Sequence, residues 1–270
     1  MFVNTKYLNP IAYYRKLKHT VAKLTMAIGI SLVVTTNVDK FRILFWATSY
    51  KEYMLRAKLS YKREKVTMHW LRVLVDPNDV VYDIGANVGA YSLYAGNIVS
   101  GGNGQVLAFE PAFTNFFPLG RNIELNSLNQ FVIPYSIAFG ASTYATSMFL
   151  RSTERGEAMH GMTRPVSEGN IFNPAFKQGA FVTSVDEFIA SSEVRFPNHI
   201  KIDVDGSESA VIAGMHSVMS DDRLKTIMVE IDDDLSQGEI ERTIKSYGLE
   251  EVMIEQWKGK NTFNKLFVRK

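Results

Sequence analysis

The chain has 270 residues, 46% of them apolar, so it can bury a real core and has room for one large domain, or one domain with an extension. It contains no cysteine, which excludes disulfides, thiolate metal sites and a cysteine nucleophile. The net charge of +2 conceals a split: residues 1–72 carry 14 Lys/Arg against 3 Asp/Glu, whereas residues 73–270 carry 16 against 25. A basic segment of this kind meets an anionic surface, membrane or nucleic acid, or is a solvated helical face or one that docks on the acidic remainder, and the second pair is the preferred reading.

Residues 1–64 read as a basic, mostly helical extension. Ile11, Tyr14, Leu17, Val21, Leu24 and Ile28 recur at helical spacing, with Arg15, Lys16, Lys18, His19 and Lys23 between them. Such a helix either docks on the domain or lies on a membrane surface. The apolar run Leu24–Thr36 is only about thirteen residues, short of the roughly twenty that a spanning helix needs. A signal peptide is disfavoured because the basic region is long and no small-x-small cleavage site follows. Phe41–Trp46 reads as a strand, Lys51–Tyr61 as a basic helix, and Glu64–Val75 as a helix that Pro77 ends.

Residues 65–270 then alternate. Asp76-Pro77-Asn78-Asp79 is a turn, Val80–Asp83 a buried strand ending in an acid, and Gly85-Ala86-Asn87-Val88-Gly89 a turn into a helix carrying Tyr91, Leu93, Tyr94 and Ile98. Strand, glycine turn and helix open a nucleotide-binding α/β fold. A dinucleotide fingerprint requires glycine where Asn87 stands, and no Gly-Lys-Ser/Thr cradle is present. An adenosyl group bearing an amino acid and no phosphate fits better, which is S-adenosylmethionine. A second acid, Glu110, ends the strand Val106–Glu110, where ribose hydroxyls are bound.

Further along, Asn115–Asn126 reads as a helix and Phe131–Phe139 as the third strand, despite Pro134. In such folds Ile137 and Ala138 at its end either line the adenine pocket or are plain core. Residues 141–199 read as an inserted hairpin and loop over the substrate site. His199–Val204 is the fourth strand, Asp205-Gly206-Ser207-Glu208 the turn into the helix Ala210–Met219, and Thr226–Ile231 the fifth strand. After the helix Glu239–Tyr247, Glu251–Gln256 and Asn264–Val268 close the fold as an antiparallel pair.

Three stretches, in this order, resemble the FkbM family of S-adenosylmethionine-dependent methyltransferases: Asp83-Ile84-Gly85-Ala86-Asn87-Val88-Gly89; Phe109-Glu110-Pro111 with Asn115 and Asn122-Ile123-Glu124-Leu125-Asn126; and Ile200-Lys201-Ile202-Asp203-Val204-Asp205-Gly206-Ser207-Glu208. The resemblance runs roughly from Glu64 to Glu230. It implies a Rossmann-like class I methyltransferase, with a mostly parallel seven-stranded sheet and a helical N-terminal extension. It also implies cofactor contacts from Asp83, Gly85, Ala86, Asn87, Gly89, Glu110, Pro111, Ile137 and Ala138. The family usually has Asp-Val-Glu-Gly in the third stretch. Asp205 replaces that Glu and draws the carboxylate back by one methylene. An acid and a threonine at the positions of Glu64 and Thr67 also recur in the family.

Methyl transfer to a hydroxyl requires orientation and a base. Asp203 is the first candidate, with holding of the Gly206 turn as its other reading. Asp205, Glu208 and Glu230 follow, with Glu208 equally readable as a first-turn acid favoured by the helix dipole, and His160 and His199 rank together, each more readily read as structural. Asp232-Asp233-Asp234 with Asp203 offers oxygen ligands of the kind Mg²⁺ takes, but the preferred reading of the triplet is a solvated loop, and no metal is expected. There is no Asp/Asn-Pro-Pro-aromatic after the fourth strand, which counts against base methylation. The resemblance implies O-methylation of a sugar, glycan, glycolipid or secondary metabolite. The alternatives are a nucleic-acid or protein N-methyltransferase and a non-catalytic cofactor-binding protein. The partners expected are a small-molecule or glycan hydroxyl acceptor and peripheral membrane contact through the basic segment, without nucleic acid. The location expected is cytoplasmic, at the inner membrane surface where the basic segment makes that contact.

Overall fold

The short apolar runs of the sequence become the strands of one central sheet in the computed structural model, which describes residues 10–167 and 169–270. The strands are, in chain order, β1 (Leu32–Val38), β2 (Phe41–Ala47), β3 (Val80–Ile84), β4 (Gln105–Phe109), β5 (Val132–Tyr135), β6 (Ala138–Phe139), β7 (Tyr144–Leu150), β8 (Gly161–Met162), β9 (Val166–Ser167), β10 (Asn170–Ile171), β11 (Phe176–Thr183), β12 (His199–Ile202), β13 (Thr226–Asp232), β14 (Leu249–Gln256) and β15 (Thr262–Arg269). Seven of them form a sheet in the order β14-β15-β13-β12-β3-β4-β5. Only β15 is reversed, antiparallel to both β13 and β14. The chain runs outward from β3 through β4 and β5, then crosses back to lay β12 on the other side of β3. The sheet therefore switches direction between β3 and β12, and a crevice opens beyond their carboxyl ends, where such folds bind ligands.

β3 and β12 are buried along their whole length, as strands covered by helices on both faces must be. Alternate residues serve two cores. Val81, Val106 and Ala108 face a cluster with Trp70, Leu71 and Leu93. Tyr82, Leu107, Phe109 and Ile200 face one with Phe139, Val211 and Met219.

Three expectations are corrected. The stretch Phe131–Phe139 is not one strand. β5 ends at Tyr135, and β6 leaves the main sheet to pair in parallel with β11. Pro134 is tolerated because β5 is the sheet edge. The apolar run Leu24–Thr36 divides between the end of the helix Pro10–Ala27 and β1, whose hairpin with β2 the helical periodicity had hidden. The stretch Glu52–Leu59 winds with i→i+5 turns before the helix Ser60–Arg63.

The hairpin shares the core of the large sheet through Val34, Ile43 and Phe45. Its outer edge is sealed by two asparagines one helical turn apart on the helix Phe113–Leu125 and its C-cap. Asn122 Oδ1 accepts the Trp46 N–H at 2.7 Å, and Asn126 Oδ1 accepts the Leu44 N–H at 2.9 Å. These side chains replace the strand partner that an edge lacks.

The interval 141–199 forms a long hairpin of β7 and β11, extended by β6 and β8 to a four-stranded sheet. Between β7 and β8 the chain from Arg151 to His160 passes over the crevice.

Candidate active site

The crevice is built on a close approach of two strand ends. Gly85 has φ +84°, and a Cβ on it would lie 1.8 Å from the Asp203 carbonyl oxygen. No side chain fits, and glycine takes this backbone without strain. The Gly85 and Ala86 N–H groups donate to the Phe109 carbonyl, which draws the turn over the end of β4. Gly89, at φ +91°, sits under the turn, where a Cβ would strike Leu119 Cδ1 at 2.6 Å. Its part is to pack the helix Ala90–Val99, and it stays out of the lining.

Gly85, Ala86, Asn87, Glu110, Pro111, Ile137 and Ala138 all line the crevice, which encloses about 1010 Å³ with its open mouth. Asn87 adopts φ +51°, which asparagine tolerates better than most residues. Its backbone N–H donates to Glu110 Oε2 at 2.9 Å, and its side chain donates to the Glu157 carbonyl at 2.8 Å. Glu110 also accepts the Ala112 N–H at 2.8 Å. Burial pushes its carboxyl up to about 7, although both donors favour the charged form.

Asp83 is placed differently from the sequence expectation. It is buried behind the lining, where Ser92 Oγ donates to it and Lys201 Nζ stands 3.8 Å from its Oδ1. Lys201 also pairs with Asp203 Oδ2 at 3.0 Å and lies 5.4 Å from the Tyr91 ring centre. Burial alone would lower the ammonium pKa. Asp203, Asp83 and Glu64 outweigh it, and the net shift is upward. Lys201 was not among the sequence candidates. Its signal was a lysine between Ile200 and Ile202 in a strand with no exposed face.

Asp203 lines the crevice just past β12. Glu64 lines it too and accepts the Thr67 hydroxyl at 3.0 Å. Burial pushes the Glu64 carboxyl up to about 7, opposed by Lys201 and reinforced by Asp203. Glu230 accepts the Trp257 indole N–H at 2.7 Å, and burial, then Asp203 and Glu64, raise its carboxyl well above the usual range.

The other expected catalytic groups hold the frame. Glu208 lies outside the lining and accepts the Val204 and Gly206 N–H groups at 3.0 Å. Asp205, at φ +56°, lines the crevice and accepts the Met159 N–H at 2.6 Å, fastening the covering loop. Burial pushes both carboxyls up to about 7. His160 lines the crevice, and its Nδ1 accepts the Arg151 N–H at 3.3 Å. That bond assigns the ring proton to Nε2, which is buried without a hydrogen-bond partner among the described residues. Burial lowers the ring to about 4, so it is neutral near pH 7.

His199 lies at the far end of the sheet, between Asp79 at 2.9 Å and Thr226 at 2.7 Å. In the triplet, Asp232 caps the Asp234 N–H, Asp233 pairs with Lys265, and Asp234 accepts from Asn261. Among the described residues, no group of three His, Cys, Asp or Glu side chains is set to hold a metal ion. Arg56, also outside the sequence candidates, lines the crevice and donates twice to the Gly156 carbonyl.

The crevice suits S-adenosylmethionine. Gly85 leaves the backbone open, Glu110 offers an acid at the second strand end, Ile137–Phe139 give an apolar wall, and His160 Nε2 lacks a partner. The domain model described as "Methyltransferase FkbM domain" matches residues 83–250. The hexuronic acid methyltransferase AglP of Haloferax volcanii is 27% identical over 156 residues, 58% of this chain. The chain spans 57% of the length of that curated relative. A crystal structure of Methyltransferase FkbM from Methylobacillus flagellatus shares its fold, with a TM-score of 0.50 and 16% identity, covering 72% of this chain and 44% of that one. The cofactor is S-adenosylmethionine, and the chain belongs to the FkbM family of methyltransferases.

Proposed function

We propose that this methyltransferase modifies a hydroxyl of a sugar, carried on a glycan, a glycolipid or a metabolite. The observation that carries the reading is the pair of carboxylates Glu64 and Asp203 lining the crevice beside Lys201. Ionised carboxylates only accept hydrogen bonds, so they suit hydroxyl donors. The hexuronic acid methyltransferase relative supports a sugar as acceptor.

Bound S-adenosylmethionine supplies a methyl group already activated by a sulfonium. Asp203, held by Lys201, accepts a hydrogen bond from the acceptor hydroxyl and aims its oxygen in line. Orientation of this kind supplies a large part of the acceleration. The hydroxyl proton released as the acceptor oxygen takes up the methyl group would pass to Glu64. Its carboxyl near 7 suits a base at neutral pH, a role worth roughly 10²–10⁴-fold. The loop Arg151–His160 covers the reaction, held by Arg56, Asn87, Asn115 and Asp205.

The test is incubation of the protein with S-adenosylmethionine and a panel of uronic acids, neutral sugars, RNA and lysine peptides, read by mass spectrometry. Methylation of a sugar hydroxyl is expected. Glu64→Gln should lower kcat about 100-fold, and Asp203→Asn should raise KM as well as lower kcat. Transfer to RNA or lysine with no sugar modified would overturn the reading.

A further inference from the structure

The helix Pro10–Ala27 has two apolar faces. Ala22 and Met26 are buried and join the core with Tyr53. The spacing of the other apolar residues left docking and a membrane surface both open, and the structure turns them outward. Leu17, Val21, Leu24 and Ile28 are 48%, 54%, 63% and 74% exposed, and Ile30 and Val33 continue the exposed set. At 100° per residue the four lie within a stripe of about 60°, opposite Met26 and about 130° from Ala22. A second apolar stripe on a helix already anchored by its first marks a contact surface.

Cations flank that stripe. Lys18 and Lys23 are exposed on the same helix. Burial, and then the neighbouring charges of Lys18 and Lys62, lower the Lys58 ammonium pKa, which places those two cations near Lys58, itself donating to the Thr35 carbonyl at 2.8 Å. Phosphodiesters satisfy such a cluster, and acyl chains satisfy the stripe. A bilayer with anionic headgroups offers both at once, whereas a nucleic acid offers only the first. No described helix is long and apolar enough to cross a membrane, so the contact is with its surface.

We propose that this helix docks the protein on an anionic lipid surface, with Leu17, Val21, Leu24 and Ile28 in the acyl boundary and Lys18, Lys23 and Lys62 at the headgroups. The geometry couples this surface to the crevice. The His19 and Tyr53 rings are 5.6 Å apart, and Lys23 lies over Tyr50. The segment that begins with Tyr50 and Tyr53 goes on to place Arg56, Ser60 and Glu64 in the crevice lining. One segment thus supports the lipid-facing helix and contributes to the crevice lining, an arrangement that suits a lipid-linked acceptor. That last consequence rests on the proposed sugar acceptor; the membrane contact does not.

The experiment is co-sedimentation of the full chain with vesicles of phosphatidylcholine alone, or mixed with phosphatidylglycerol, at low and high salt. The parent is expected to pellet with the mixed vesicles only. Val21→Gln with Leu24→Gln should cut binding about tenfold or more, and Lys18→Gln with Lys23→Gln severalfold. Both double variants should keep S-adenosylhomocysteine affinity, since neither touches the crevice. Absence of binding to either vesicle overturns the proposal. So does undiminished binding by the Val21→Gln/Leu24→Gln variant, or RNA binding that resists that change while vesicles are ignored. Conversion of a dimer to a monomer by the same variant, without vesicle binding, would assign the stripe to a second copy and also overturn it. Vesicle binding with no sugar methylation leaves this surface standing and removes the acceptor reading.

Discussion

Lys201 and Asp83 face each other in register on β12 and β3, with Nζ 3.8 Å from Oδ1 and both side chains buried. The same ammonium holds Asp203 at 3.0 Å. The acid ending the first strand of the sheet is therefore tied to a cation from the strand beside it. A buried charge of this kind persists only while it is paired.

Lys201→Met should leave Asp83 buried without its cation. The expected loss is about 3–5 kcal/mol in urea unfolding. Adding Asp83→Asn should restore a good part of it, because the stranded charge is then gone. A single variant as stable as the parent would mean that the pair contributes nothing to folding.

Stability should fall as pH rises from about 5 to about 8. Glu64, Glu110, Asp205 and Glu208 have carboxyls pushed up to about 7 by burial, above their ordinary values. The folded chain therefore holds more protons than the unfolded chain between those values. The stabilisation present at low pH is lost as pH rises through about 7. One such group amounts to roughly 3 kcal/mol when fully shifted. His160, lowered to about 4, acts the opposite way between about 4 and 6.5, one imidazole against four carboxyls. Urea midpoints that rise from pH 5 to pH 8 would contradict the burial of these acids.

Glu110→Ala should abolish binding of S-adenosylhomocysteine in calorimetry, because Glu110 lines the crevice and fixes the Asn87 and Ala112 N–H groups. Asp83→Asn should weaken binding less than about tenfold, since its carboxyl points to Ser92 and Lys201. The reverse ranking would place the cofactor against Asp83.

Asp205→Ala should free the loop over the crevice. The Met159 N–H loses its acceptor, so its hydrogen exchange should quicken by at least an order of magnitude, with KM rising more than kcat falls. Unchanged exchange at Met159 would show that Arg56 and Asn115 hold the loop without it.

The strand-ending acids, the glycine turn and the order of apolar runs made the fold and most of the crevice wall legible, because they depend on neighbours in sequence. Gly85 could be read as a turn glycine, although its reason, the Asp203 carbonyl 1.8 Å from an added Cβ, lies more than a hundred residues away. Helical spacing found the stripe Leu17–Ile28 but not the direction it faces, since Ala22 and Met26 supply the buried contact instead.

The sequence by itself determined the class of fold and the methyl donor, and it put the acids Glu110 and Asp203 at strand ends where the crevice opens, since alternation, turn chemistry and the residue at a strand end are local properties. Only the tertiary structure decided which carboxylates reach the crevice and what holds each. Asp83, Asp205 and Glu208 look as reactive as Asp203 along the chain, but Asp83 lies behind the crevice wall, and the Met159 N–H and the Gly206 turn engage the other two, whereas Asp203 lines the crevice with Lys201 beside it. A hydrogen-bond acceptor is spent or available according to what the fold brings beside it, and those partners come from other strands and loops.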